Sequence, residues 1–582
     1  MSSGAFAPEA ATGLPDPWAG FALPARRREA HFGDRVLPCF PDRVGSLHAM
    51  LQTTVVRHGE RLAMVFEAQR WTWRELAELS SRAASGFLKL GLQAGDRVVL
   101  YQSNHPSFVM AMLALQQLGA VAVAVGPREQ KEGLAWIIQH CGARGVVCDT
   151  NLLERLPGLT DAPALQWAVS VHVQADVEAE YLQPRAAGLA AVEHRLHCGF
   201  DELLREPPCS HVQPVQEEDT AIVLYTSGTT GRPKGAMLTH FNVVHSVQHF
   251  ISCMALTESD RSMLAVPVTH VTGLIANLMT VVGAGAALLV LPAFKAEHFL
   301  QLAAREGMTH TLMVPAMYKL LLLDPQFTRF DLSNWRIGGF GGAPMPTSTI
   351  DELAARLPNL HLLNAYGATE TTSPTTLMPI GQTRAHADTV GVALPCAAVM
   401  VMDEQGCELP VGEVGELWVS GPMVVKGYWN DPAATAREFT AGWWHSGDLG
   451  SVDAAGYVRV LDRKKDMINR GGYKVFSTEV ENVLLQMPGV IEAAVVGVPC
   501  PVLGERVHAY VHTQRRDLDV GELKAFCAER LADYKVPEHL TLSPTALPRN
   551  PNGKLMKRHL RTTLTDAAPQ AERVAGPSHR AM

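Results

Sequence analysis

Tyr225-Thr226-Ser227-Gly228-Thr229-Thr230-Gly231-Arg232-Pro233-Lys234-Gly235 follows directly on the apolar run 221–224. Strand, then a loop of glycines and hydroxyls, then a lysine is an arrangement suited to phosphate. Glycine permits the tight dihedrals, backbone N–H groups and hydroxyls wrap polyphosphate oxygens, and Lys234 adds a point charge. The Walker pattern Gly-x4-Gly-Lys-Ser/Thr cannot be laid on it, because Lys234 follows Pro233 and precedes Gly235. A Gly/Ser/Thr-rich run by itself is as often a plain surface loop, so its neighbours in the chain decide its meaning.

Outward from this loop, segments of helical period alternate with short Val/Ile/Leu runs: 76–90 then 97–101, 108–118 then 121–125, 296–306 then 309–314, and 347–357 then 360–364. That rhythm predicts an α/β fold with crossover helices between parallel strands. Residues 399–460 change texture to short strands, with turns at Asp403-Glu404-Gln405-Gly406 and Asp453-Ala454-Ala455-Gly456, and predict a small β subdomain. Beyond Arg463-Lys464-Lys465-Asp466, helical segments 478–486 and 520–530 flank strand-like runs 493–498 and 507–513, as expected of a smaller α+β domain. The expected division is an N-terminal extension (1–40), a large domain of α/β subdomains plus the β subdomain (41–462), a mobile C-terminal domain (463–564) and a disordered polar tail (565–582).

A chain of 582 residues exceeds what one hydrophobic core usually serves. With 47% apolar and 19% charged residues and a net charge of −8, it reads as an ordinary globular protein, and the negative balance argues against nucleic acid as a partner. The ten cysteines form no CxxC pair and no zinc-like spacing, so the expected setting is the reducing cytoplasm. The first 21 residues lack the basic leader and apolar run of a signal peptide. Residues 262–294 carry no charge and are long enough to span a bilayer. Pro267, His270, Gly273, Asn277, Gly283, Gly285 and Pro292 interrupt them, however, which predicts a buried helix, a glycine turn and a buried strand, with no transmembrane segment.

Further runs accompany the loop: Val266-Pro267-Val268-Thr269-His270, Gly341-Gly342-Ala343-Pro344, Asn364-Ala365-Tyr366-Gly367-Ala368-Thr369-Glu370-Thr371 and Trp444-His445-Ser446-Gly447-Asp448-Leu449-Gly450. After them come Asp462-Arg463-Lys464-Lys465-Asp466-Met467-Ile468 with Gly471-Gly472-Tyr473, and Leu547-Pro548-Arg549-Asn550-Pro551-Asn552-Gly553-Lys554. In content and order, over about 47–560, the chain resembles the AMP-forming acyl and aryl synthetases, the superfamily of acyl-CoA synthetases, peptide-synthetase adenylation domains and beetle luciferase.

The resemblance implies ATP, Mg2+ and coenzyme A as cofactors and a small carboxylic acid as substrate. Attack of a carboxylate on the α-phosphate of ATP brings anion to anion, so cations and hydrogen-bond donors must surround it. The implied roles are these: Thr226, Ser227, Gly228, Thr229, Thr230 and Lys234 on the phosphates, Thr369 on the α-phosphate, and Glu370 on the magnesium ion. Gly342, Ala343 and Pro344 with Tyr366 and Gly367 form the adenine slot, and Asp448 and Arg463 hold the ribose. Lys554 carries adenylation. Rotation about Lys465 then brings Gly472 to line the path of the CoA thiol. Two positions depart from the family pattern: Asp462 stands where many relatives carry glycine, and Lys465 where many carry aspartate.

His270 is expected to begin the wall of the acyl site, with Gly339, Phe340, Ala365 and Gly367 opposite. The runs around it carry neither an aspartate for a substrate amine nor an Arg or Lys for a second carboxylate, which points to an apolar monocarboxylate, fatty or aromatic or alicyclic. The sequence leaves open delivery to a carrier protein in place of CoA, a catalytically silent nucleotide-binding regulator, and a homodimer as against a monomer.

Overall fold

The computed structural model describes residues 18, 20–21, 23–158, 160–172, 196–226, 232–513, 515, 517–549 and 555–561. Its contacts divide into one unit of residues 1–446 with 450–460, and a second of 447–449 with 461–582.

The first unit is built on two large sheets. One runs, in spatial order, Lys234–Thr239, Thr220–Thr226, Val121–Val125, Arg97–Tyr101, Gly145–Asp149, Trp167–Val171, Leu196–Gly199. All its neighbours are parallel except the first pair, a hairpin in which Thr226 lies opposite Lys234. The other centres on parallel strands His361–Tyr366, Ile337–Phe340, His310–Met313, Arg261–Leu264, Ala287–Val290 and Leu62–Phe66. Both faces of these strands are covered, so they read as unbroken apolar runs; Val121–Val125 and Gly145–Asp149 are buried at every position. The helix Pro106–Gln117 is buried at every residue and belongs to the largest core cluster. A five-stranded sheet follows, with Ala398–Met402 antiparallel to Gly415–Ser420 and Trp443–Val452 next in order.

The uncharged stretch 262–294 folds as strand Arg261–Leu264, a π-helix Thr272–Met279 continuing into the α-helix Thr280–Ala284, a left-handed turn at Gly285, and strand Ala287–Val290. The widened turn of this helix departs from the regular period of the buried helix expected within 262–294. Asn277 Nδ2 and Thr280 Oγ1 each donate to a carbonyl five residues back, at 3.1 and 2.9 Å. Among the described residues no helix is long and apolar enough to cross a membrane, and every described cysteine is a free thiol.

Strands Arg27–His31 and Arg35–Cys39 form a hairpin. Arg43 grips Glu29 and Glu217 from it at 2.7 and 2.8 Å, and buried Arg35 donates to the carbonyls of Val424 and Val425.

The second unit has its own sheet, Tyr473–Val475, Ile468–Arg470, Gly504–Thr513, Val490–Cys500, with His539–Ser543 parallel to Gly504–Thr513. Helices Ser477–Leu485 and Val520–Ala528 pack through Val480, Leu484, Leu523 and Cys527 into its core.

Candidate active site

Parallel α/β sheets bind ligands beyond the carboxyl ends of their strands, where backbone groups run out of partners. In the first unit four of the quoted motifs stand at such ends, and Gly126 stands at a fifth. Residues 266–270 follow Arg261–Leu264, the Gly341 loop follows Ile337–Phe340, and residues 367–371 follow His361–Tyr366. Thr226 closes Thr220–Thr226, and Gly126 follows Val121–Val125. The loops touch: a Cβ on Gly341 would lie 2.3 Å from the Ala365 carbonyl oxygen, and one on Gly126 3.1 Å from Thr269 Oγ1. Only glycine allows the approach at Gly341, where the neighbour is backbone; at Gly126 the Thr269 side chain would have to give by a few tenths of an ångström.

Asn104, at the end of Arg97–Tyr101, ties the two sheets together. Its amide donates to the carbonyls of Val266 and Leu291, both at 3.0 Å, and its oxygen accepts the Val268 N–H at 2.8 Å. The sequence reading missed it; the signal was the polar run Gln102-Ser103-Asn104 placed directly after a buried strand. Thr269 is buried with its hydroxyl unpartnered among the described residues, and the half-buried His270 opens the turn, its carbonyl accepting the Leu274 N–H at 2.8 Å.

Glu370 sits in the 3-10 turn Thr369–Thr371, 8% exposed, its backbone carbonyl held by the Val425 N–H at 2.9 Å. Its Oε1 accepts from Tyr428 Oη at 3.0 Å and from Thr226 Oγ1 at 3.4 Å. Oε2 has no partner among the described residues. A carboxylate oxygen left open beside a threonine hydroxyl fits a hard, oxygen-seeking divalent cation.

Lys234 is nine-tenths buried and its ammonium lies on Glu438, 2.6 and 2.5 Å from the two carboxylate oxygens. Tyr428 Oη donates to the same carboxylate at 2.7 Å. Burial pushes the Glu438 carboxyl up, and the hydrogen bonds and charge of Lys234 with the bond from Tyr428 outweigh it, leaving the carboxyl below its usual range. Burial, reinforced by the charges of Glu370 and Glu438, drives the Tyr428 hydroxyl far above its ordinary value. Neither Tyr428 nor Glu438 was picked out from the sequence, and the partner of Lys234 lies 204 residues away.

Gly342, Ala343 and Pro344 are exposed, with Gly342 in the left-handed region at φ 77°. Tyr366 is half-buried against the cluster of Val401, Leu417 and Val458, and Gly367 is exposed beside it. Ser227, Gly228, Thr229, Thr230 and Lys554 lie outside the described residues.

In the second unit, Asp448 is 4% exposed and its Oδ1 pairs with Arg463 Nε at 2.7 Å, which brings the two expected ribose residues together. Asp462 is buried and caps the helix Ser477–Leu485: Ser477 donates to it through its N–H and, at 3.0 Å, its hydroxyl, and the Arg463 N–H donates to it at 2.7 Å. Lys557 joins this network through Ser477 Oγ and Glu481, each at 2.7 Å. Lys465 is exposed. Gly471 and Gly472 form the tip of the hairpin Ile468–Arg470/Tyr473–Val475 with φ of 60° and 88°, and the space around Gly472 is open.

The sequence model described as AMP-binding enzyme matches residues 51–429, and that of the AMP-binding enzyme C-terminal domain matches residues 479–554. The long-chain-fatty-acid–CoA ligase FadD13 of Mycobacterium tuberculosis is 32% identical over 504 residues, covering 86% of this chain and 94% of its own. A feruloyl-CoA synthase of an Amycolatopsis species is 34% identical over 510 residues, covering 87% and 95%. Among solved structures, ATP-bound MatB from Rhodopseudomonas palustris superposes with a TM-score of 0.79 at 30% identity, covering 90% of this chain and 99% of MatB.

Proposed function

This chain belongs to the AMP-binding enzyme family, and from that premise we propose that it joins an apolar monocarboxylic acid to coenzyme A in two steps through an acyl-adenylate. It is an AMP-forming acid–CoA ligase. The observation that carries the substrate reading is the composition of the strand-end loops. Residues 266–272, 339–340 and 365–368 hold no Arg, Lys, Asp or Glu, so a single carboxylate on an apolar body is what they can accept without burying an unpaired charge. The relatives' names, a long-chain fatty acid ligase and a feruloyl-CoA synthase, fit that class.

In the first step the acid's carboxylate attacks the α-phosphorus of ATP and pyrophosphate departs. The 227–231 loop wraps the β- and γ-phosphates, Thr369 hydrogen-bonds an α-phosphate oxygen, and the Gly341–Pro344 backbone with Tyr366 receives the adenine. Asp448 accepts hydrogen bonds from the ribose hydroxyls, held in place by Arg463. Glu370 and Thr226 are the residues that would hold Mg2+, which supplies charge neutralisation on the phosphates. Lys554 brings its ammonium to the carboxylate and α-phosphate oxygens as a point charge. In the second step the CoA thiol attacks the acyl carbonyl and AMP leaves; the smaller domain turns about Lys465, withdrawing Lys554 and presenting Gly472 to the pantetheine arm.

Acid-dependent ATP–pyrophosphate exchange tests the first step. Exchange driven by fatty or aromatic monocarboxylates, and not by amino acids or dicarboxylates, is the expected result. Exchange driven best by an amino acid or a dicarboxylate overturns the substrate reading.

A further inference from the structure

Thr226 and Lys234 face each other across the hairpin whose loop is the phosphate loop, and both lead to Glu370. Thr226 reaches it directly at 3.4 Å. Lys234 reaches it through Tyr428, both directly and by way of Glu438: its ammonium donates to Tyr428 Oη at 3.4 Å and lies on Glu438 at 2.6 and 2.5 Å, Glu438 accepts Tyr428 Oη at 2.7 Å, and Tyr428 Oη lies 3.0 Å from Glu370 Oε1. Lys234 and Tyr428 are shielded from water, at 8% and 2% exposure, and Glu438 is half-buried. Lys234 Nζ also stands 4.4 Å from the centre of the Tyr428 ring, fixing the ring from its face.

A phenol has one proton to give, and here two carboxylates converge on it. Lys234 answers the charge of Glu438, whereas Glu370 has no ion-pair partner among the described residues. One oxygen of Glu370 is thus faced by two hydroxyls, the Tyr428 proton being shared with Glu438, while the other oxygen is left open among the described residues and its charge uncompensated, the condition in which a carboxylate takes a cation in a single orientation. The ammonium of Lys234 is already satisfied by Glu438, so its charge is spent inside the protein instead of on the nucleotide.

Resting on the reading of Glu370 as the metal carboxylate, we infer that Tyr428, Glu438 and Lys234 form a strut that orients Glu370 for the divalent cation and couples it to the base of the phosphate loop. Tyr428 and Glu438 are positioning residues, and neither touches substrate.

The test is Mn2+ binding to the full chain, followed by electron paramagnetic resonance with α,β-methylene-ATP present, alongside affinity for the same nucleotide without metal. Tyr428→Phe removes only the hydroxyl, and Glu438→Gln keeps shape while releasing Lys234. Each is expected to weaken Mn2+ binding about tenfold, as loss of an outer-shell partner does, with metal-free nucleotide affinity unchanged. Adding Tyr428→Phe to Glu370→Gln should cost nothing further, because the strut acts only through Glu370. Glu370→Gln reports on the underlying reading separately. If it binds Mn2+ like the parent, Glu370 is not the metal carboxylate and the strut loses its purpose. If it loses Mn2+ while both Tyr428→Phe and Glu438→Gln retain it, the metal reading stands and the strut is refuted. Should Tyr428→Phe fail to fold, Glu438→Gln alone carries the same two outcomes.

Discussion

Replacing Asp462 by alanine should loosen the helix Ser477–Leu485 far more than a surface substitution would. Asp462 is 4% exposed and accepts from the Ser477 N–H, the Ser477 hydroxyl and the Arg463 N–H. Ser477 is fully buried, so alanine leaves its N–H without an acceptor, at a cost of about 1–3 kcal/mol for such a group. Its hydroxyl proton is stranded as well, although Lys557 still donates to Ser477 Oγ at 2.7 Å. The N–H of exposed Arg463 can turn to water and adds little. Allowing for relaxation, the sum is about 3 kcal/mol, which converts at 1.4 kcal/mol per decade to roughly a hundredfold faster opening of the helix's first turns. Hydrogen exchange read by mass spectrometry over 474–490 measures this directly. Asp462→Asn, which keeps one oxygen acceptor, should fall between alanine and the parent, and Asp462→Gly should match alanine or exceed it. Exchange in Asp462→Ala within about threefold of the parent, less than about 0.7 kcal/mol, would refute the capping argument.

Lys554→Ala should lower acid-dependent pyrophosphate exchange by about two to three decades, the scale of losing one charge-bearing donor at a transferring phosphoryl group, and unchanged exchange would remove Lys554 from the first step. Gly472→Trp should leave pyrophosphate exchange near parental levels while CoA thioester formation falls at least about tenfold; equal loss of both would show a folding defect at the φ 88° position instead of a blocked thiol path. Stability should decline on acidification before the carboxylates titrate. Burial holds His240 down to about 4 from an ordinary 6.5, and its Nδ1 accepts the Leu47 N–H. The folded state therefore resists a proton that the unfolded chain takes up, so stability present above pH 6.5 is lost as pH falls toward 4. Melting temperature followed from pH 7 to pH 5 should slope downward, and His240→Asn should flatten the slope; parallel curves would show that His240 does not contribute.

Much of the fold was legible because its strands are buried on both faces and its helices obey their period. The runs 97–101 and 121–125 and the helix at 296–306 coincide with Arg97–Tyr101, Val121–Val125 and Ala296–Glu306. The widened helix Thr272–Met279 was not legible, since a uniformly apolar segment gives no phase from which to read its turn. In the site, motifs pointed to the strand ends and to Asp448 with Arg463, where neighbouring backbone dictates the placement. They did not disclose what Lys234 holds. Its partner Glu438 is chosen by the packing of a helix far along the chain, and nothing in the local text of either residue marks the pair. Asn104 belongs to the same class, an ordinary polar residue whose importance comes from three backbone partners supplied by another sheet. Asp462 stood out as a departure from its relatives, and the helix it caps gives that departure a structural reason.

The measurement closest to the central claim is a product balance: purified chain with ATP, Mg2+, CoA and a panel of short, medium, long and aromatic monocarboxylic acids, with nucleotides and thioesters quantified together. AMP, pyrophosphate and acyl-CoA rising in equal amounts with one subset of acids is the predicted result. ADP in place of AMP, or AMP accumulating with CoA left untouched by every acid in the panel, would contradict it.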